Sequence, residues 1–524
     1  MSSSLLATLI IDSVILVGII YLFVRSYFHT GISRVRYMYL FTLVLTFASI
    51  SLASSFRTQM VLDEFNFSYA TFAFIGTLVA YPLGQSLKIF FGTYTSRNQN
   101  RKEVISILLF LSGIIDISLF VVTVVSNNYD LVAIFSVIAS FALGFISGLF
   151  GMYVTIFSNM NENSKLFRNV ALIAVVPFIG TLISTIPQSI IIVSGNLYSL
   201  TYQNISYLWL LSGFFALAAC VTNQVFTVDW YGKKRSMFVP TEETKKKSIN
   251  NWKNLKWVDY DSEYTKPGIR VGILGFFFLL SYTLCTGTLA PQYILVLNNE
   301  SNELGSEAIS VFKAYLPFML SFGSIIGTIF GYRYLLSKTN SDNLVINLAF
   351  VAMITYIAIN LINAYTVKSP LLMFVSYLIM GYAYGVIYFY FLTIAIKLTT
   401  KVSTKLPIGM FYLFLTTMGS LVANVIASIV LSLSATNLDN LELIYIISIA
   451  MSLLSLIIYN FNHASITKEV KSSKHWGYVL ETGIDELVYI NPFRKQTELS
   501  DIQKKYDEKV KKEKASKKHH RKTK

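Results

Sequence analysis

The chain has 524 residues, of which 54% are hydrophobic and 14% charged, with a mean hydropathy of +0.56. A soluble protein of this size needs more charge to cover its surface, so the composition excludes an ordinary soluble domain. The net charge of +15 lies on loops and on the tail. This distribution indicates membrane orientation and contact with anionic lipids, and not specific nucleic-acid binding. The two cysteines form no metal-ligand spacing, and no Gly-rich phosphate loop indicates ATP-driven pumping, so no cofactor or metal is expected.

Apolar runs of about 20 residues are long enough to cross a bilayer, and they predict thirteen transmembrane helices. These runs fall near 5–25, 37–57, 69–92, 104–126, 131–156, 169–194, 206–227, 270–294, 310–332, 343–363, 370–396, 406–434 and 441–461. The first run has no positive charge before it, which favours a retained helix over a signal peptide. Asp12 lies near the outer end of this helix and is expected to contact lipid headgroups.

Lys and Arg residues fall on alternate loops along the whole chain, whereas acidic residues such as Asp63 and Glu64 fall on the loops between them. The positive-inside rule then places the N-terminus outside the cell and the C-terminal tail in the cytoplasm. The chain is therefore predicted to be a multi-pass protein of the cell membrane.

Glycines recur at nearly constant offsets, which predicts an internal duplication. Gly84 and Gly180 recur 239 positions later as Gly323 and Gly419, and Gly144 and Gly148 recur 237 positions later as Gly381 and Gly385. Small residues four apart let two membrane helices approach closely. The predicted organisation is listed here in chain order: an extra N-terminal helix and loop (1–36), a six-helix bundle (37–228), a basic cytoplasmic linker (229–269), a second six-helix bundle (270–461) and a basic cytoplasmic tail (462–524).

The stretch Gly92-Thr-Tyr-Thr-Ser-Arg-Asn-Gln-Asn-Arg-Lys102 resembles the signature loop Gly-x-x-x-Asp-Arg-x-Gly-Arg-Arg of major facilitator superfamily transporters. Gly92, Arg97 and Arg101 match, whereas Ser96 replaces the acidic residue and Gln99 the second glycine. The resemblance implies an all-α integral membrane fold with twelve helices over residues 37–461 and one additional N-terminal helix. It also implies that the matched residues brace a cytoplasmic gate through charge contacts, although Ser96 removes the usual acidic partner. The alternative is that both arginines only set the orientation.

The same resemblance implies a central cavity lined by 37–57, 131–156, 270–294 and 370–396. The candidate substrate residues in these helices carry hydroxyl, amide or aromatic groups: Ser51, Ser54, Tyr153, Tyr282, Thr286, Gln292, Tyr384, Tyr388 and Tyr390. Such groups suit a neutral or amphipathic solute. No Arg or Lys lies deep in these four helices, and a buried anion needs a counter-charge, which argues against organic anions. The alternative is that the tyrosines pack between helices.

Asp116 is the one deep carboxylate of the predicted twelve-helix core. Charges inside a membrane are expensive and often functional, so Asp116 is a candidate carrier of a coupling proton. A structural carboxylate, hydrogen-bonded to neighbouring Ser or Tyr groups, is the alternative.

The leading interpretation is a monomeric secondary transporter of a small solute, and not an enzyme. One alternative is a receptor or scaffold that keeps the transporter fold without transport. A second is an intramembrane lipid-modifying enzyme, which needs a cluster of His and acidic groups, whereas no His lies in any predicted span of the core.

Overall fold

The computed structural model describes residues 3–29, 34–64, 79–87, 101–125, 129–148, 153, 166–198, 202–227, 262–287, 293–294, 297–298, 301, 304–335, 342–400, 417–427, 429–430 and 442–472. No strand occurs within these ranges. Their long helices, in chain order, are α1 (Ser3–His29), α2 (Arg34–Glu64), α3 (Arg101–Val125), α4 (Tyr129–Gly148), α5 (Leu166–Tyr198), α6 (Tyr202–Phe226), α7 (Ser262–Thr286), α8 (Ser306–Leu335), α9 (Asp342–Tyr365), α10 (Pro370–Thr400) and α11 (Glu442–Ser472).

Ten of the described helices are long and apolar enough to cross a membrane, and the apolar helices Tyr37–Ala53 and Thr417–Ala427 are shorter. In a bilayer every backbone polar group must be bonded internally, which explains why apolar runs of this length form continuous helices. The predicted all-helical membrane fold is thereby confirmed.

The helices differ from the predicted runs mainly at their ends. Helix α7 begins at Ser262 and ends at Thr286, instead of running over 270–294. Helix α11 continues to Ser472, because polar residues at the membrane surface extend a helix that the apolar run alone ends earlier. The predicted run 69–92 is described only at 79–87.

Each half of the chain packs around its own core, with the same pattern of neighbours. In the N-terminal half α2 packs against α5 and α6, and α3 packs against α4 and α6. In the C-terminal half α7 packs against α11, and α9 packs against α10 and α11. The two halves meet where α5 packs against α8, and α1 lies against both of these helices.

The glycine repeat is confirmed as a repeat of helix contacts. A Cβ on Gly144 would collide with the carbonyl oxygen of Tyr81, and a Cβ on Gly381 would collide with that of Leu320. The same glycine faces therefore make the same close backbone approach in each half. Tyr81 and Leu320 are 239 positions apart, the same offset that relates Gly84 to Gly323.

A pair of serine contacts repeats in the same way. The hydroxyls of Ser49 on α2 and Ser212 on α6 are 3.0 Å apart, and those of Ser281 on α7 and Ser452 on α11 are 2.6 Å apart. In both halves the first helix of the bundle is thus joined to the last by a buried serine pair. Such polar contacts stabilise helix association in lipid.

Candidate functional site: a ring cluster between the two halves

Three of the predicted substrate residues form one stack of tyrosine rings. Tyr384 and Tyr388 are one turn apart on α10, and their rings stack with centroids 5.4 Å apart at 12°. Tyr282, near the end of α7, stacks on Tyr384 with centroids 4.0 Å apart at 19°. The packing of α7 against α10 therefore gathers residues that lie far apart in the sequence.

Two phenylalanines complete this stack, and one of them comes from the other half of the chain. Phe278, one turn before Tyr282 on α7, lies 5.9 Å from Tyr384 at 16°. Phe178 on α5 meets Tyr384 and Tyr388 edge-on, with centroids 5.9 and 6.0 Å away. We call Phe178, Phe278, Tyr282, Tyr384 and Tyr388 the ring cluster.

The ring cluster borders accessible space on its tyrosine side. Phe278 is 1% exposed, whereas Tyr282, Tyr384 and Tyr388 are only half-buried. A partly buried tyrosine combines an apolar ring with a hydroxyl group, so it can contact apolar surface and form hydrogen bonds at once. None of the five residues carries a charge, so the cluster offers an anion no counter-charge.

Phe178 is absent from the sequence-based set. It stands in Pro177-Phe-Ile-Gly180, a stretch whose glycine packs closely against Phe47 and Ala48 of α2. The one feature of the sequence that could have indicated Phe178 is an aromatic residue near a close-packing glycine. The resemblance does not place its helix around the cavity, so this feature did not suggest a substrate residue.

The remaining predicted substrate residues lie outside the ring cluster. Thr286 donates to the carbonyl of Tyr282 at 2.7 Å, within its own helix. Tyr390 packs edge-on against Tyr459 of α11, with centroids 5.9 Å apart at 84°. Tyr153 is 1% exposed, and its carbonyl accepts a hydrogen bond from Tyr39 at 3.1 Å.

Ser51 ties α2 to α5. The hydroxyl of Ser184 donates to the Ser51 hydroxyl at 2.6 Å, and the amide of Gln188 donates to the Ser51 carbonyl at 3.1 Å. Ser54 belongs to α2, but its side chain lies outside the described residues, as does Gln292 altogether. The gate-loop predictions Gly92 and Arg97 also fall outside them, and Arg101 is described only as the first residue of α3.

Asp116 is fully buried between α3 and α6. The hydroxyl of Ser212 lies 2.7 Å from Oδ2 of Asp116 and 2.8 Å from the carbonyl of Ser49 on α2. A short line of polar groups thus runs from the carboxylate to one of the helices that the resemblance places around the cavity. The ring cluster is built by α5, α7 and α10, so Asp116 belongs to a different part of the protein.

Asp12 is buried inside the protein, contrary to expectation. It is 3% exposed, Ser189 of α5 donates to its Oδ2 at 2.7 Å, and Tyr315 of α8 donates to its Oδ1 at 2.7 Å. The expectation of headgroup contact is wrong because hydroxyls from two other helices satisfy the carboxylate inside the protein.

Two duplicated helical bundles that meet at a half-buried aromatic site within the membrane define a multi-pass transporter fold. The family model of the Major Facilitator Superfamily matches residues 39–423, and the chain belongs to this family. Helix α1 precedes the matched range. Membership of this family indicates a transporter. A comparison with curated protein sequences finds no match.

Solved transporter structures share the fold at low sequence identity. A bacterial homologue of the iron transporter ferroportin, in an outward-facing state with soaked iron, is 15% identical, with a TM-score of 0.53 over 82% of this chain and 99% of that one. The nucleoside transporter NupG is 14% identical, with a TM-score of 0.55 over 83% and 99%. The proton:xylose symporter XylE, bound to 6-bromo-6-deoxy-D-glucose, is 12% identical, with a TM-score of 0.54 over 83% and 98%. These likenesses show the fold alone.

Proposed function

We propose that the protein is a secondary transporter that moves a neutral or amphipathic solute by alternating access, with the ring cluster in its binding site. The observation that carries the proposal is the contact of Phe178, from the N-terminal half, with Tyr384 and Tyr388, from the C-terminal half. Family transporters move by rocking of one bundle against the other around a site between them. When a binding site contains residues of both bundles, rocking of the bundles changes the side of the membrane to which the site is open.

The chemistry of the ring cluster favours a solute with a ring-shaped apolar face and hydroxyl groups. Aromatic faces stack on sugar or nucleobase rings, and phenol hydroxyls exchange hydrogen bonds with solute hydroxyls. Two solved relatives are named for neutral solutes of this kind, a nucleoside and xylose. An anionic solute would lose hydration with no counter-charge in the cluster.

Reconstitution in liposomes tests this function. Labelled neutral sugars and nucleosides are screened for uptake, with a labelled organic anion as the contrasting solute. Saturable uptake of a neutral solute, with the anion excluded, supports the proposal. Uptake of the anion alone contradicts the proposed solute class. Absence of uptake for the whole panel favours the non-transporting receptor or scaffold.

Asp116 is proposed to carry the coupling proton through the Ser212 and Ser49 groups. Uptake driven by an imposed pH gradient is then expected to fall in Asp116→Asn to the rate seen without a gradient, because the amide cannot release a proton. The measurement is the initial uptake rate with and without the gradient. Ser136→Ala is the control, since the buried Ser136 hydroxyl donates only to Val132 of its own helix among the contacts described. Equal gradient stimulation of Asp116→Asn and the parent protein would leave Asp116 a structural group.

Other parts of this proposal concern the membrane environment. Gly92, Arg97 and Arg101 brace the cytoplasmic gate, and the linker 229–269 and tail 462–524 contact anionic lipids. The chain works as a monomer in the cell membrane, with its N-terminus outside and its C-terminus in the cytoplasm.

A further inference from the structure

Helix α1 joins the two halves through one carboxylate. Asp12 accepts hydrogen bonds from Ser189 of the N-terminal half and from Tyr315 of the C-terminal half, both at 2.7 Å. The Tyr315 hydroxyl also lies 3.4 Å from the carbonyl of Thr8. These contacts lie at the end of the bundle where α5 finishes and α8 begins.

The N-terminal half holds α1 at two places. Besides the Ser189 bond, the hydroxyl of Tyr37 on α2 donates to the carbonyl of Phe23 at 2.6 Å. The Phe23 ring meets the rings of Tyr37 and Phe41 edge-on, with centroids 5.9 and 6.4 Å away. Helix α1 also packs more extensively against α5 than against α8. It is therefore a fixed part of the N-terminal half.

Tyr315 is on the opposite side of the boundary and is anchored in the C-terminal half. Its ring is 4% exposed and meets Phe318 of the same helix edge-on, with centroids 6.3 Å apart. Around it, Leu52 of α2 and the partly buried Ile15 of α1 and Ile191 of α5 complete one apolar cluster that contains residues of both halves. The bond from Tyr315 to Asp12 thus crosses the boundary between the halves, whereas the bond from Ser189 does not.

We propose that α1 is a brace carried by the N-terminal half, and that the Asp12–Tyr315 hydrogen bond is a latch that holds this end of the transporter closed. The inference rests on the proposed alternating access, because rocking of the halves separates α5 from α8 at this end. A hydrogen bond to a charged group is stronger than one between neutral groups, so its loss shifts the balance between closed and open states. Asp12 is a positioning residue in this scheme and makes no contact with the ring cluster.

Spin labels on the full chain measure this balance directly. Val125, at the end of α3, and Val367, just before α10, are 76% and 58% exposed and belong to different halves. Phe120 near the end of α3 contacts Tyr207 near the start of α6, and Phe312 near the start of α8 contacts Phe374 near the start of α10. Both labelled positions therefore lie at the end of the bundle where α5 finishes and α8 begins, which is the end that holds the Asp12 contacts. Val125→Cys and Val367→Cys are labelled in a background where Cys220 and Cys285 are serine.

Tyr315→Phe and Ser189→Ala form a matched pair, because each removes one hydroxyl donor to the same carboxylate. Tyr315→Phe is expected to raise the ratio of long to short label distances by about tenfold, the size of effect typical of a charged hydrogen bond. Ser189→Ala is expected to leave the ratio within about twofold, since its bond lies within one half. Asp12→Ala is expected to match Tyr315→Phe, and adding Tyr315→Phe to it is expected to cause no further shift.

Equal shifts in Tyr315→Phe and Ser189→Ala would overturn the latch, because a carboxylate that only stabilises the fold responds to both. An unchanged distance distribution in Tyr315→Phe would also overturn it. The distances are recorded without solute, so a failed uptake screen and a failed latch give separate results.

Discussion

Replacing Gly144 or Gly381 with alanine is expected to lower the yield of folded protein by at least about tenfold, because the added methyl group has no space. The new Cβ would meet the backbone carbonyl of Tyr81 or Leu320 well inside the 3.0 Å below which Cβ atoms essentially never approach. A backbone carbonyl cannot rotate away as a side chain can, so the helices must separate and lose their packing. The measurement is the monodisperse fraction in detergent at increasing temperature.

Gly18→Ala is the matched control for this prediction. Gly18 is also a helical glycine in a membrane span, but among the described residues nothing outside the nearby backbone of its own helix lies within 4 Å of the position its Cβ would occupy. Alanine is the better helix former, so the variant is expected to be at least as stable as the parent. If the Gly18 and Gly144 variants lose the same amount of folded protein, close helix approach is not what the glycine repeat provides.

Tyr384→Ala is expected to lower the initial rate of solute uptake by about tenfold or more, because aromatic residues in binding sites contribute most of the contact energy. Tyr384 is the centre of the ring cluster, in ring contact with Tyr282, Tyr388, Phe278 and Phe178. Its removal opens a gap among all four. The measurement is uptake per folded transporter in liposomes, at solute concentrations below and above saturation.

Tyr384→Phe separates the two roles of this side chain. It keeps the ring contacts and removes the hydroxyl, so a rise in KM with little change in maximal rate is expected if the hydroxyl binds solute. Tyr207→Ala is the control, because Tyr207 is 56% exposed on α6 and its ring contact is with Phe120 of α3. A Tyr384→Ala variant that transports as fast as the control would remove the ring cluster from the binding site.

The fold was largely predictable because its signals are local or periodic. The length of the apolar runs matches the thickness of the bilayer and so predicts the membrane-spanning helices. Glycines at constant offsets predict which helix faces make the same close contacts in both halves. The contact of Gly148 with Gln85 and that of Gly385 with Ser324 show the same pairing in both halves. Helix ends were less predictable, since polar residues such as those after residue 461 can extend a helix beyond the bilayer.

The candidate site was predictable only in part, because ring contacts depend on which helix faces meet. Tyr384 and Tyr388 share a face by their spacing, and their helix packs that face against α7 and α5. Tyr390 lies two positions further along, on a face that meets α11 instead. Spacing alone does not distinguish these two faces, and it gives no reason to include Phe178 from the other half.

Asp12 illustrates a different limit. The position of Asp12 along α1 predicts how deep in the membrane it lies. For a single acidic residue near a helix end, the simplest prediction is contact with lipid headgroups. The hydroxyls that satisfy it belong to residues 177 and 303 positions away, so only the folded arrangement reveals them.

The distance in sequence between Asp12 and its partners also has a consequence for biosynthesis. Helix α1 is synthesised before α5 and α8, and an aspartate inside a membrane helix raises the insertion free energy by roughly 2.5–3.5 kcal/mol when centrally placed. The span Leu5–Arg25 has a mean hydropathy of 2.5 with Asp12 included, and its apolar residues must outweigh this cost while Ser189 is still to be synthesised. The nascent helix therefore enters the bilayer with its carboxylate still lacking the Ser189 and Tyr315 donors. The hydrogen bonds to Asp12 therefore form in two stages, first when α5 with Ser189 is inserted and then when α8 with Tyr315 follows.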